Sequence, residues 1–340
     1  FLFAGNYRKT LSQLQLTLKS ILTFPLVNYY FSMLKLILDE DTGIDDAIAL
    51  TIAARDKDSE LLGVNCTYGN VTVDESVRNT LDMLSILKRD DVKVYRGRDR
   101  ALSSSSSSSP YSPHEAGRRI HGPKGTGDIV LPKSRQKEEV MDGVEYLKTM
   151  MESRSDFTLV TTGPLTNLAS VLLEEPQLSS WKGKVVSMIG AFERRGNVNE
   201  FAEANSFKDP EAARIVFESD LDITMIGLDV TEKTRLYRRN SCEWSESGSE
   251  EGRILSSLLS YYIDHTLGGD ETYVHDPSAV IYALHSSYFT TLSTPITVVT
   301  EGRERGRTIK GRKENARSSV AMEVERDKVE AFLSNIKNYF

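Results

Sequence analysis

Cysteine is scarce: Cys66 and Cys242 are the only two in 340 residues. They lie far apart, which excludes a disulfide framework and a cysteine metal cluster and points to a reducing compartment. No apolar run reaches the roughly 20 residues that a membrane-spanning helix needs, so no membrane partner is expected. Long basic blocks are also missing and the net charge is −7, so no nucleic-acid partner is expected either. There is no internal repeat. Acid is absent from residues 1–33, which carry Arg8, Lys9 and Lys19. That segment reads as an amphipathic transit peptide or as an extension upstream of Met33, and the extension is preferred. A cytoplasmic location follows, with organellar import through residues 1–33 as the lesser alternative.

Acid is instead concentrated in one place. Asp39, Glu40, Asp41, Asp45 and Asp46 fall within the stretch Leu38 to Ala47. An apolar run from Leu34 to Leu38 leads in, and a helical pattern leaves through Ala47, Leu50 and Ala53. This predicts a buried strand, a tight turn at Gly43, and a helix opening on two acids. Carboxylates so close cannot all ionise cheaply without a compensating charge. A helix N-terminus offers under about 1 kcal/mol per acid. A divalent cation offers far more, and oxygen-only ligands favour a hard ion, Ca²⁺ or Mg²⁺, over zinc. An acidic helix cap would account for Asp45 and Asp46. It leaves Asp39 and Asp41 unexplained, at a strand end where open α/β sheets place their ligand sites.

Strands and helices alternate from Leu34 onward. Strands are expected at 61–67, 92–95, 157–161, 184–189, 221–228, 295–300 and 319–324. Helices are expected at 74–88, 137–150, 209–218, 253–266 and 327–338. This predicts one doubly wound α/β domain over residues 34–340, with a mixed, mostly parallel sheet flanked by helices. The long loop 96–135 breaks the rhythm. It holds the serine run Ser103–Ser109 and, among glycines, His121. Residues 240–253, polar and serine-rich, read as a mobile connector. The basic piece 303–317 reads as a solvated hairpin face.

Four segments in this order carry a resemblance. They are Asp39 to Asp46, Thr162-Gly163-Pro164-Leu165-Thr166-Asn167, the spacing Gly196-Asn197 to Glu203-Ala204-Asn205, and His275-Asp276-Pro277. Together they resemble the inosine-uridine-preferring nucleoside hydrolase family over about residues 34–338. The resemblance implies hydrolysis of the N-glycosidic bond of ribonucleosides to ribose and free nucleobase, in purine or pyrimidine salvage. It implies Ca²⁺ held by Asp41, Asp46, Asp276 and the Thr162 carbonyl. Asp41 would act as general base on a Ca²⁺-bound water, with an oxocarbenium-like transition state. Asp45, Asn197, Glu203 and Asn205 would bind ribose. Asn70 and Met188 would line the ribose and the reaction centre. His121 and His275 would lie on the base side, with His275 as the acid for the leaving nucleobase. Homodimers or homotetramers are usual in the family.

The chain departs from the family pattern at Thr42, which replaces a proline and is expected to loosen the turn. Glu40 adds a charge, which strand alternation should point away from Asp39 and Asp41. Tyr262 suits either a contact with the base or simple packing. Two rivals remain. Leu36 to Thr42 also resembles the opening of haloacid-dehalogenase-type phosphatases, with Asp39 as nucleophile, although Gly43 misses the required fifth residue. The other rival is a non-catalytic nucleoside- or ribose-binding relic.

Overall fold

The computed structural model describes residues 33–104, 111–313 and 317–340. The expectations for residues 1–32, and for most of the serine run, lie outside them.

Strand β1 (Leu34–Glu40) is an interior strand of the sheet. Leu36 and Leu38 join the apolar cluster on one face of the sheet, and Ile37 joins the cluster on the other. Successive side chains of a strand point to opposite faces, so an unbroken apolar run suits a strand covered on both sides. The chain continues through β2 (Ser59–Cys66), β3 (Val94–Arg96), β4 (Thr158–Thr161), β5 (Lys184–Ser187) and β6 (Asp222–Met225). A small ribbon pairs β7 (Arg235–Tyr237) with β8 (Glu271–Tyr273), and a hairpin pairs β10 (Ile296–Val298) with β11 (Thr308–Lys310). Strands β9 (Phe289–Ser293) and β12 (Ser318–Val324) complete an eight-stranded sheet in the order β3-β2-β1-β4-β5-β6-β12-β9. Every pair in it is parallel except β12 with β9. The predicted mixed, mostly parallel α/β sheet is therefore observed.

The helix Ile44–Arg55 is buried from Ile44 to Ala54. A helix covered all round needs neighbours on every side. It packs on β2, on the helix Asp276–Leu284, and on the helix Glu250–His265. Those contacts bring two remote helices, Asp276–Leu284 and Glu250–His265, against the helix that follows β1.

Some expectations change. The helix expected at 137–150 begins only at Gly143 and runs to Ser153. Residues 240–253 are not a long connector, because the helices Arg238–Ser245 and Glu250–His265 occupy all but the turn 246–249. Their serines cap and cross-link: Ser249 accepts the Gly252 N–H at 3.0 Å, and Ser241 Oγ bonds to the Ser256 carbonyl and Ser260 Oγ. The strand expected at 221–228 stops at Met225, and residues 228–231 turn into a short helix.

Candidate active site

The strand order reverses at β1. Strands β2 and β3 lie to one side of it, and β4 returns on the other. Asp39 therefore stands in register with Asn65 on β2 and Thr161 on β4. Crevices at such reversals, outside the carboxyl ends of the strands, are where these sheets bind ligands.

The acidic turn is tied down on all sides. Asp46 Oδ2 accepts the Gly43 N–H at 2.8 Å, and Thr162 Oγ1 donates to Asp46 Oδ1 at 2.6 Å. Gly43 allows a close approach, because a Cβ there would lie 2.6 Å from His121 Nδ1. Gly69 does the same for Asp41, whose carboxylate would overlap any Cβ at that position. Thr42 does not loosen the turn. Its N–H donates to Ser76 Oγ at 3.1 Å, and its hydroxyl lies 2.6 Å from Thr80 Oγ1. A proline could make neither bond.

Asp41, Asp45, Asp46 and Asp276 are all buried. Asp45, Asp46 and Asp276 each offer an oxygen within 4.8 Å of the others. Burial first, then the neighbouring carboxylates, pushes Asp46 and Asp276 well above the usual carboxylate range. Asp45 Oδ1 and Asp276 Oδ2 are buried without a hydrogen-bond partner among the described residues. Orphaned oxygens in an all-oxygen cluster fit a hard divalent cation. Asp41 stands slightly apart. Asn70 holds it from one side, and Lys208 Nζ meets its Oδ2 at 3.0 Å.

Asp45, Asp276, Asn70 and Lys208 edge a cavity of about 530 Å³, well within the range of small-molecule sites, whereas Asp41 and Asp46 are not part of its lining. Asp45, Asn70, His121, Thr162, Met188, Asn197, Glu203, Asn205, His275 and Asp276 all line it. Glu203 caps the helix Ala204–Lys208, accepting the N–H groups of Asn205, Ser206 and Gly190. Asn205 Nδ2 donates to the carbonyls of Thr162, at 2.7 Å, and Met188, at 3.0 Å. Asn197 Oδ1 accepts the Ala204 N–H. His121 Nδ1 accepts the Ile44 N–H at 3.2 Å, so its remaining proton sits on Nε2. His275 Nδ1 lies 2.9 Å from Thr231 Oγ1. Burial lowers the pKa of both histidines and favours neutral rings. Tyr262 is buried and donates to Asp45 Oδ2 at 3.0 Å.

Asp39 and Glu40 turn to opposite sides, as alternation requires. Asp39 Oδ1 accepts from Asn167 Nδ2 at 2.8 Å, and Glu40 Oε1 accepts from Thr80 Oγ1 at 2.9 Å. Neither lines the cavity. Asp39, which takes the Asn167 amide on its carboxylate and the Thr162 N–H on its backbone carbonyl, braces the Thr162–Asn167 turn.

The sequence reading missed Tyr111, His114 and Lys208 in the cavity wall. Lys208 carried a usable signal, since it sits three residues after Asn205 and so shares its helix face. Burial opposes its charge, but Asp41, Tyr111 and Glu203 together outweigh this and raise its pKa.

Residues 36–331 match the family model described as inosine-uridine preferring nucleoside hydrolase. Uridine nucleosidase 1 of Arabidopsis thaliana is 33% identical over 279 residues, covering 81% of this chain and 81% of that protein. Pyrimidine-specific ribonucleoside hydrolase RihA of Salmonella arizonae is 33% identical over 306 residues, covering 86% and 95%. The solved structure of a purine-preferring ribonucleoside hydrolase from Gardnerella vaginalis superposes with a TM-score of 0.85 at 36% identity, covering 90% of this chain and 98% of that one.

Proposed function

The chain belongs to the inosine-uridine preferring nucleoside hydrolase family, and on that footing we propose that it cleaves ribonucleosides by a metal-assisted route with Asp41 as general base. The observation that carries this reading is the buried cluster of Asp45, Asp46 and Asp276 at the sheet's reversal, of which Asp45 and Asp276 reach the cavity wall. Ca²⁺ suits the oxygen-only set of Asp41, Asp46, Asp276 and the Thr162 carbonyl, where it would make a water more acidic and orient ribose hydroxyls.

The chain's own groups supply the rest. Asp41 takes a proton from the attacking water as oxygen bonds to the anomeric carbon. The bond from that carbon to the nucleobase breaks in the same displacement. Positive charge grows on the sugar as it breaks, and the surrounding carboxylates stabilise it. Asp45, Asn197, Glu203 and Asn205 hold the ribose, with Tyr262 steadying Asp45. Asn70 and Met188 border the reaction centre. Thr231 at Nδ1 fits a neutral His275 with its proton on Nε2, and that proton goes to the departing base. His121 faces the base side.

Incubation with a panel of ribonucleosides, reading released reducing sugar, tests the proposal. Ribose should appear, and the ranking of the panel gives the base preference. Tight nucleoside binding without release would contradict it in favour of a binding relic.

A further inference from the structure

We propose that Lys208 is a built-in counter-ion that competes with the divalent cation for Asp41 and so sets how tightly the site takes its metal. The proposal rests on the metal-assisted reading given above.

Lys208 ends the helix Ala204–Lys208, and only 15% of its side chain is exposed. Its ammonium lies 3.0 Å from Asp41 Oδ2, 3.0 Å from Asn70 Oδ1 and 3.3 Å from Asn205 Oδ1. An ammonium has three donors and no acceptor, so these bonds use all it has. They also fix both amides. Each oxygen is drawn to Lys208, and each nitrogen is sent the other way. Asn205 Nδ2 thus reaches the Thr162 carbonyl at 2.7 Å, and Asn70 Nδ2 reaches Asp41 Oδ1 at 3.3 Å.

The charges are unevenly shared as a result. Asp41 has a cation at contact distance. Asp45, Asp46 and Asp276 stand together with two buried oxygens unpartnered among the described residues. A divalent ion bound by Asp46, Asp276 and Asp41 must draw Asp41 from the ammonium or settle beside it. Like charges a few ångströms apart in a partly buried site repel strongly. The ammonium therefore lowers metal affinity while keeping the metal-free site assembled. A merely structural lysine would have no such effect on the metal.

Calorimetric titration of CaCl₂ into chelator-stripped protein tests this, with wild type, Lys208→Met and Lys208→Arg compared. Lys208→Met, which keeps the length and loses the charge, should bind Ca²⁺ about tenfold more tightly or better. Lys208→Arg should stay near wild type. In thermal melts, Lys208→Met should fall below wild type in chelator, and saturating Ca²⁺ should close the gap. Unchanged or weaker Ca²⁺ binding by Lys208→Met would overturn the proposal. So would equal tightening by Lys208→Arg, because charge would then not be the agent. If none of the three proteins binds Ca²⁺, the metal reading falls along with the proposal, while ribose release still reports separately on the hydrolase reading.

Discussion

Asn70 grips Asp41 at both oxygens, its backbone N–H on Oδ2 at 2.6 Å and its side-chain Nδ2 on Oδ1 at 3.3 Å. A carboxylate held this way has one fixed orientation, which a general base needs. Asp41→Asn would put an amide N–H against one of these donors and would remove the basic oxygen. Turnover should fall by about 10²- to 10⁴-fold, with the fold retained. Steady-state ribose release and circular dichroism check this. Near-normal turnover would remove Asp41 as the base.

His275 is tested by its leaving group. His275→Ala should slow natural nucleosides by about 10²-fold or more, and nitrophenyl riboside far less, since nitrophenolate needs no proton to depart. Comparing kcat on the two substrates decides it. An equal loss on both would make His275 a binding group only.

Thr42→Pro would restore the family residue and should still destabilise this chain. It deletes the N–H that Ser76 accepts and the hydroxyl beside Glu40 and Thr80, all of them buried. Unsatisfied buried groups cost about 1–3 kcal/mol, which urea unfolding would read directly. A neutral or stabilising result would show that the hydroxyl network carries no weight.

The acidic turn also sets a pH dependence. Burial pushes Asp39 from 3.8 up to about 7 and Glu40 from 4.5 up to about 8. Between those limits the folded chain binds more protons than the unfolded one, so metal-free stability falls as pH rises and levels off above the folded values. His121 and His275 act oppositely, but their values are lowered from 6.5, so their effect is confined to lower pH. Unfolding in chelator should therefore show greater stability at pH 7 than at pH 8, by up to about 1.4 kcal/mol for each group that titrates across the interval. Ca²⁺, which favours the ionised acids, should flatten this slope. Stability that increases from pH 7 to pH 8 in chelator would contradict the burial argument.

The parts legible in the sequence were those written in contiguous residues. The apolar run into Asp39, the glycine turn and the helix behind it gave strand, turn and helix in order. Alternation gave the parallel sheet and its carboxyl edge, where Asn70, Thr162 and Asp276 lie, whereas Met188 came only through the family resemblance. Short exposed strands left no such pattern. Strand β9 buries only Phe289, so periodicity had nothing to register. The serines of 240–253 resembled a linker because a serine that caps or cross-links helices has the same composition as one in a loop. For Lys208 the sequence held only its spacing from Asn205, not its partners. Its partners Asp41 and Asn70 lie 167 and 138 positions away, and only the folded sheet brings them together. Thr42 looked like a weakened turn because Ser76 and Thr80 lie on a different helix.

The most direct test of the central claim is ribose release from ribonucleosides, measured in chelator and again after Ca²⁺ is restored. The account requires release with Ca²⁺, loss in chelator and recovery on adding the ion back. Full release in chelator would contradict the metal-assisted mechanism, and no release in either condition would contradict the hydrolase itself.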